Sequence, residues 1–295
     1  MRHAVLRRLM AAVSLLVAAS ALAEPAPGLR FAPEPGVEQH YEFKSRHRIT
    51  IEGSGMPRRE QRSSVTMDMR VVPKSSDDAG AVLEVSLVAY AFTNEVGGKL
   101  VEWDSHKPPA DDLSKVFETQ FRPLMGVPVT VRVDATGKVI EVSGTDALPP
   151  GPAARKMTVE LFSVSGMQRK LGLALGTRAP EEDAKVGLAW ESKDTFEMPG
   201  MGDVPAETTH TIDQIEGSTA HISVKSNCEL PAPPKGANDS ISVTDAIFEG
   251  TQQWDLQAGV LDEYDGVQSA IVAMRRADMV MKQEFSLHIT LVRKP

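Results

Sequence analysis

The sequence predicts an α+β fold. We expect one strongly curved, half-barrel-like antiparallel sheet, or two similar ones, with amphipathic helices packed on the concave side. Long segments of alternating apolar and polar residues, such as Tyr41–Ile51 and Phe285–Leu291, are typical of half-buried strands. Apolar residues at helical spacing predict helices over Asp112–Met125 and Pro152–Ser165. Short Asp-to-Gly turns between alternating segments indicate antiparallel hairpins.

Residues 1–23 have the pattern of a signal peptide. Arg2, Arg7 and Arg8 precede a mostly apolar run, Leu9–Ala19, and Ala21–Ala23 forms a small-x-small cleavage site. A short N-terminal anchor helix is the alternative, and the fit of the cleavage site favours the signal peptide. No later apolar stretch is long enough to span a bilayer. We therefore expect export to the periplasm or the extracellular medium.

The remaining chain divides into an extended lead-in over residues 24–35, a first β-rich half with a helix over residues 36–148, and a second β-rich half over residues 149–295. The halves share weak features: Gly36 and Gly187 precede an aromatic residue that opens a strand, and Asp134 and Asp255 begin Asp-to-Gly turns. A duplication explains them. The alternative is that such turns recur in any β-rich chain.

The third predicted strand, Ala81–Phe92, is apolar on both faces at its far end. One face carries Leu83, Val85, Leu87, Ala89 and Ala91, and the other carries Val88, Tyr90 and Phe92. We expect the helix after Pro108-Pro109 to cover the second face. The ligand-binding residues predicted from this packing are Tyr90, Phe92, Phe117, Phe121 and Leu124. The helix either encloses an apolar cavity or completes a filled core.

The composition excludes some partners. With 32 basic and 40 acidic residues, the formal net charge is −8, which argues against binding nucleic acid or anionic lipid head groups by overall charge. Cys228 is the only cysteine, so the chain has no internal disulfide. It alternates with Ala220, Ile222 and Val224, a pattern that favours a buried structural thiol over a nucleophile.

The sequence contains no recognisable catalytic, metal-binding or cofactor motif. The histidines after the signal do not have metal-ligand spacing, and His47 fits a core position. Asp104 and Ser105, before a proline-rich turn, fit catalysis less well than local backbone hydrogen bonding. Five methionines fit copper(I) binding less well than flexible packing: Met198, Met201, Met274, Met279 and Met281.

Several short motifs resemble a family of exported bacterial proteins with a domain of unknown function. They are VEWDS from Val101, a helix, G-x-x-V-x-V-x-V-D-x-x-G-x-V from Gly126, G-x-x-W from Gly187 and D-x-x-x-G-V from Asp255. The resemblance covers most of the mature chain, implies a periplasmic or outer-surface location and brings no known activity. At the level of fold, the layout is also similar to the half-barrels of periplasmic lipoprotein carriers.

These observations favour a non-enzymatic binding or carrier module of the cell envelope, with an apolar small molecule or a lipid as its ligand. The alternative is a structural or protein-interaction module with a solid core, whose partner is another envelope protein. An enzyme ranks third, because no catalytic motif is present.

Overall fold

The computed structural model is built around one large antiparallel sheet. It describes residues 29–148, 161–175, 183–198, 202–228, 239–276 and 279–295. The described strands form a single 12-stranded sheet, and the two described helices have 10 and 12 residues. The predicted α+β class is therefore wrong, and the protein is mainly β. Strands also include charged segments such as Arg58–Arg62, which raises the share of sheet.

The elements follow one another in a simple order. The strands are β1 (Gln39–Gly53), β2 (Met56–Asp77), β3 (Gly80–Val96), β4 (Lys99–Asp104), β5 (Val129–Asp134), β6 (Val139–Ser143), β7 (Ala189–Met198), β8 (Gly202–Glu216), β9 (Thr219–Cys228), β10 (Asp239–Asp255), β11 (Val260–Arg276) and β12 (Met279–Lys294). The helices are α1 (Asp112–Phe121) and α2 (Val164–Leu175), with short 3-10 turns at Arg122–Leu124 and Thr145–Ala147.

The sheet has the strand order β6-β5-β3-β2-β1-β12-β11-β10-β9-β8-β7. Its centre is the pairing of β1 with β12, which runs from His40 opposite Lys294 to Gly53 opposite Met281. On the edge away from β2, β3 has two partners. Its first part pairs with β5 and its last part pairs with β4. The chain between β4 and β5 contains α1.

The sheet curls around α2. This helix contacts both β6 and β11, and the side chain of Gln168 accepts a hydrogen bond of 2.7 Å from the backbone of Val139 in β6. In a flat sheet, β6 and β11 lie six strand steps apart, or roughly 29 Å at about 4.8 Å per step. The helix is about 18 Å long, and one cluster of buried residues joins Val139 of β6 to Trp190 of β7, although these strands are the two edges of the sheet. Together, these contacts indicate a concave sheet.

The concave face is apolar and the outer face is charged. One cluster of buried residues extends from Val139 in β6 to Trp190 in β7, and a second, smaller cluster includes Phe248 and Phe285. On the outer face, Glu42 lies between Lys44 and Lys294. Burial alone would raise the pKa of Glu42, but hydrogen bonds from Lys294 and Lys44 outweigh it and hold the pKa below its usual value.

The predicted domain limits are only partly covered by the described residues. The signal peptide and residues 24–28 of the lead-in lie outside them, as does much of the predicted helix Pro152–Ser165. The end of the lead-in packs in the core through Leu29 and Phe31. None of the described helices has the length and apolar character needed to cross a membrane. The division into two halves stays a prediction, although strands from both belong to one sheet.

Candidate functional site

A bulge at Val88 determines which way the end of β3 faces. Alternate residues of β2 lie on the concave face, and the register pairs Met69 with Leu87 but Met67 with Tyr90. One extra residue of β3 is therefore accommodated between these two pairs, and Val88 is 45% exposed. Leu87 and Tyr90 consequently share the concave face. The predicted second apolar face of this strand does not form.

Five aromatic rings meet on this part of the concave face. Phe92 contacts Phe117 edge-on at 4.9 Å between ring centroids, and Tyr90 lies 5.5 Å from Phe121. Trp103 of β4 completes the group, 5.3 Å from Phe121. We call these residues the aromatic platform: Tyr90, Phe92, Trp103, Phe117 and Phe121. Pairs in such tilted and edge-on arrangements contribute roughly 0.5–1.5 kcal/mol beyond the area that they bury.

Local hydrogen bonds place α1 over the end of β3. Asp111 caps the helix by accepting from the backbone of Ser114, whose hydroxyl in turn accepts from the backbone of Asp111. The bonds from Ser114 hold the pKa of Asp111 below its usual value. At the other end of the segment, Gly126 donates a backbone hydrogen bond of 2.8 Å to Leu87. Trp103 is oriented by a bond from its indole nitrogen to Glu118.

The predicted ligand-binding residues fall into two groups. Tyr90, Phe92, Phe117 and Phe121 come together, and all four are half-buried. Leu124 is fully buried in the main core, so it is a packing residue and is separate from the platform. The sequence did not predict Trp103 as a residue of the platform. Its position at the end of a strand that pairs with β3 could have indicated this role.

The apolar stripe of α1 is left open. Ser114 is the buried residue of this helix, whereas Leu113 and Val116 are 46% and 48% exposed. Together with Phe117, they follow the i, i+3, i+4 spacing of one helix face. The half-buried platform thus continues onto an exposed apolar surface.

The described residues beneath α2 leave little space. A cavity of about 20 Å³ lies between β2, β3 and the helical residues Leu161, Phe162 and Met167, which is room for about one water molecule. A lipid chain does not fit at this point. Among the described residues, the open platform is therefore the better candidate surface for an apolar ligand.

Asp104, Ser105 and Cys228, which were considered for catalysis, have structural roles or surroundings that argue against it. Asp104 accepts a hydrogen bond from the backbone of His106, and Ser105 exchanges two hydrogen bonds of 3.0 Å with the backbone of Tyr90. The interpretation of Asp104 as a partner of local backbone is confirmed. Ser105 also binds backbone, but its partner Tyr90 lies on β3, 15 residues away. Burial raises the pKa of the Cys228 thiol to about 11, so the reactive thiolate is scarce at neutral pH.

The described residues do not show an assembled metal site. No group of three or more His, Cys, Asp or Glu lies together within the described ranges. Of the methionines considered for copper, Met274 and Met281 are cross-strand partners on β11 and β12. Met201 lies outside the described residues.

No family model matches the chain, and no curated protein is similar to it. That outcome is compatible with the resemblance to proteins of unknown function and does not test it. A solved structure on lipid–protein interactions in lipovitellin has a TM-score of 0.49 and 11% identity, covering 89% of this chain but 25% of that chain. The structure of DynF, from the dynemicin biosynthesis pathway of Micromonospora chersina, has a TM-score of 0.21 and 8% identity, covering 92% and 86%. Scores this low support no statement about function.

Proposed function

We propose that this protein is a non-enzymatic binding module whose ligand is apolar and lies on the aromatic platform. The observation that carries the proposal is the open apolar surface of α1, where Phe117 and Phe121 are half-buried and Leu113 and Val116 are exposed. Soluble proteins rarely expose contiguous apolar surface without a partner. Aromatic side chains are also common in the walls of ligand sites.

The platform can supply a useful part of a binding energy. Covering roughly 200 Å² of apolar surface contributes about 5 kcal/mol at about 25 cal/mol per Å². The cost of immobilising a ligand reduces this value, so the platform alone should give an affinity of roughly millimolar order. The rings are held by α1, β3 and β4, which lowers the cost of ordering the site.

An interaction module with a solid core is the second candidate. The small cavity between β2, β3 and α2 favours it, because a carrier with an internal chamber needs much more space. In that case the exposed face of α1 is a contact surface for another protein. The two candidates differ in whether a small apolar molecule binds in the absence of any partner.

Export is a further part of the proposal, and it is supported by the N-terminal sequence. The basic residues, the apolar run and the cleavage site ending at Ala23 predict a mature chain that begins at Glu24. N-terminal sequencing of protein secreted by a bacterial host checks this point. An intact start at Met1 would contradict export by cleavage.

Binding of the fluorescent apolar probe N-phenyl-1-naphthylamine tests the function directly. We expect saturable binding to wild type and a loss of about tenfold in Phe117→Ala. Ile140→Ala is the matched control, since Ile140 is an exposed apolar residue on β6. We expect it to bind like wild type. Equal binding by all three proteins, or no binding by wild type, would rule out the platform as a ligand site.

A further inference from the structure

The sheet has an open edge at β7. This strand pairs with β8 along its whole length of 10 residues, and it is the last strand in the order of the described sheet. At the opposite edge, β6 has only 5 residues, and the backbone of Val139 there donates a hydrogen bond to the side chain of Gln168 in α2. Within the described residues, β7 has no second strand beside it. An edge of this length can pair with a strand of another chain.

The backbone of β7 directs alternate residues toward this edge. Ile212 of β8 donates a backbone hydrogen bond of 2.9 Å to Leu188, which lies just before β7. In an antiparallel pair, backbone hydrogen bonding to the neighbouring strand alternates from residue to residue. Ser192 therefore directs its N–H and C=O groups toward β8. Glu191 and Lys193 direct theirs outward, to the open edge.

The charges on this edge are complementary to themselves. Glu191 and Lys193 lie on either side of Ser192, and both are exposed. Residues directly opposite each other in an antiparallel pair project from the same face of the sheet. When two copies of β7 pair about a two-fold axis at Ser192, each Lys193 lies opposite Glu191 of the partner subunit. This register combines two pairs of opposite charges with about eight backbone hydrogen bonds.

Neighbouring registers lose the match of charge. A two-fold axis at Lys193 places two lysines opposite each other, and an axis at Glu191 does the same with two glutamates. Like charges in direct opposition destabilise a strand pair. Charged side chains thus protect the edge against most other strands, while the mixed pattern allows a strand with the complementary order of charges. A second copy of this chain has that order.

We infer that β7 is a dimerisation edge, at which two copies of this chain pair antiparallel about Ser192 and join their sheets into one. The contact uses the same residues on both subunits, so it closes at two copies. One strand from each subunit makes a small interface, and we expect a weak dimer that depends on concentration. The aromatic platform lies on β3, β4 and α1, toward the other end of the strand order, so dimerisation leaves it open.

Sedimentation velocity over a series of protein concentrations tests the inference. We expect wild type to change from monomer to dimer as its concentration rises. Lys193→Glu and Glu191→Lys should each weaken the dimer by about tenfold or more, because either change places like charges opposite each other twice. The double variant Glu191→Lys/Lys193→Glu exchanges the two charges and should restore the dimer. Lys138→Glu, at an exposed lysine in the turn between β5 and β6, is the control and should dimerise like wild type.

A proline substitution tests the backbone pairing separately from the charges. Lys193→Pro removes an N–H group that points to the open edge, so the hydrogen bonds between β7 and β8 stay in place. We expect this variant to be monomeric at every concentration. Thermal unfolding of each variant shows whether the fold is retained.

The outcomes separate this inference from the proposed function. A wild type that stays monomeric, a dimer that persists in Lys193→Pro, or a double exchange that fails to restore the dimer overturns the inference. A dimer lost in Lys193→Glu but retained in Glu191→Lys also overturns it, because the strands would then pair in another register. None of these results affects the platform, which is tested by binding of N-phenyl-1-naphthylamine. Failure of that probe to bind leaves the dimer standing.

Discussion

Phe117 and Phe121 stack on one face of α1, with ring centroids 5.8 Å apart and ring planes 5° from parallel. Both rings are half-buried, whereas Leu124, a few residues further along the chain, is fully buried. The two environments lie within one helix and the turn that follows it. Substitutions at these positions therefore separate ligand binding from packing.

We expect Phe121→Ala to lower the free energy of unfolding by about 2 kcal/mol, less than the roughly 3–5 kcal/mol typical of a fully buried Phe. Leu124→Ala should cost more, roughly 3–4 kcal/mol. Chemical denaturation before and after delipidation measures both. Delipidation should destabilise wild type more than Phe121→Ala, because a bound ligand stabilises the native state. A loss of several kcal/mol in Phe121→Ala that delipidation does not change would rule out a ligand on this face.

Gly266→Ala should destabilise the protein by roughly 1–3 kcal/mol through overpacking. A Cβ at Gly266 would collide with the hydroxyl of Tyr264, whose ring lies over the cross-strand pair Gly250 and Gly266. In a Tyr264→Ala background, the same substitution should cost much less. Thermal unfolding of the four proteins gives this double-mutant cycle. An equal cost in both backgrounds would show that Tyr264 is not the obstacle.

Asp68→Asn should stabilise the protein at pH 7 by about 0.5 kcal/mol, the size of a modest surface effect. Burial raises the pKa of Asp68, and Glu42, directly opposite on β1, raises it further. An acid with a raised folded pKa is penalised when ionised; the penalty is absent below the unfolded pKa, 3.8, and complete above the folded pKa. The gain should therefore disappear as the pH falls toward 3.8.

Urea unfolding of wild type and Asp68→Asn across this pH range gives the measurement. Asp146→Asn, at an exposed carboxyl in the 3-10 turn Thr145–Ala147, is the control and should change little. A gain of the same size at low and neutral pH would mean that the charge of Asp68 is not its cause.

Asp255→Ala should destabilise more than Asp262→Ala, by about 2 kcal/mol against about 1 kcal/mol. Both carboxylates bind Arg293 of β12. Asp255 additionally accepts hydrogen bonds of 3.0 Å from the backbone of Gln257 and Ala258, which form the turn between β10 and β11. Equilibrium denaturation of the two variants ranks them. The reverse order would mean that the ion pair outweighs the turn.

Local patterns predicted the hairpins well, because short-range chemistry determines them. Asp134 and Asp255 both hold their turns through carboxylate hydrogen bonds to nearby backbone. The turns join β5 to β6 and β10 to β11, as their Asp-to-Gly spacing indicated. Whether this shared turn reflects a duplication stays a prediction.

The errors came from features that alternation alone does not encode. The bulge at Val88 reverses which residues of β3 face the core, and only the register with β2 reveals it. The charged residues from Arg58 to Arg62 lie on β2 because strand pairing uses the backbone, which tolerates polar side chains. The bulge removes the second apolar face that a helix was expected to cover, and the charged strand residues add sheet, so the protein is mainly β and not α+β. Trp103 was missed because its contacts depend on the packing of α1.

The pairing of β1 with β12 at the centre of the sheet has a consequence for the order of folding. His40 and Lys294 are partners although they are about 250 residues apart in the chain. Hairpins such as β2–β3 and β11–β12 can form early from neighbouring segments, but the central pairing requires the closure of a very long loop. Until β12 arrives, β1 has an unpaired edge that carries Tyr41 and Phe43. We expect the joining of strands β1–β6 to strands β7–β12 to be the slow step of folding. During this step the protein should be most prone to aggregation.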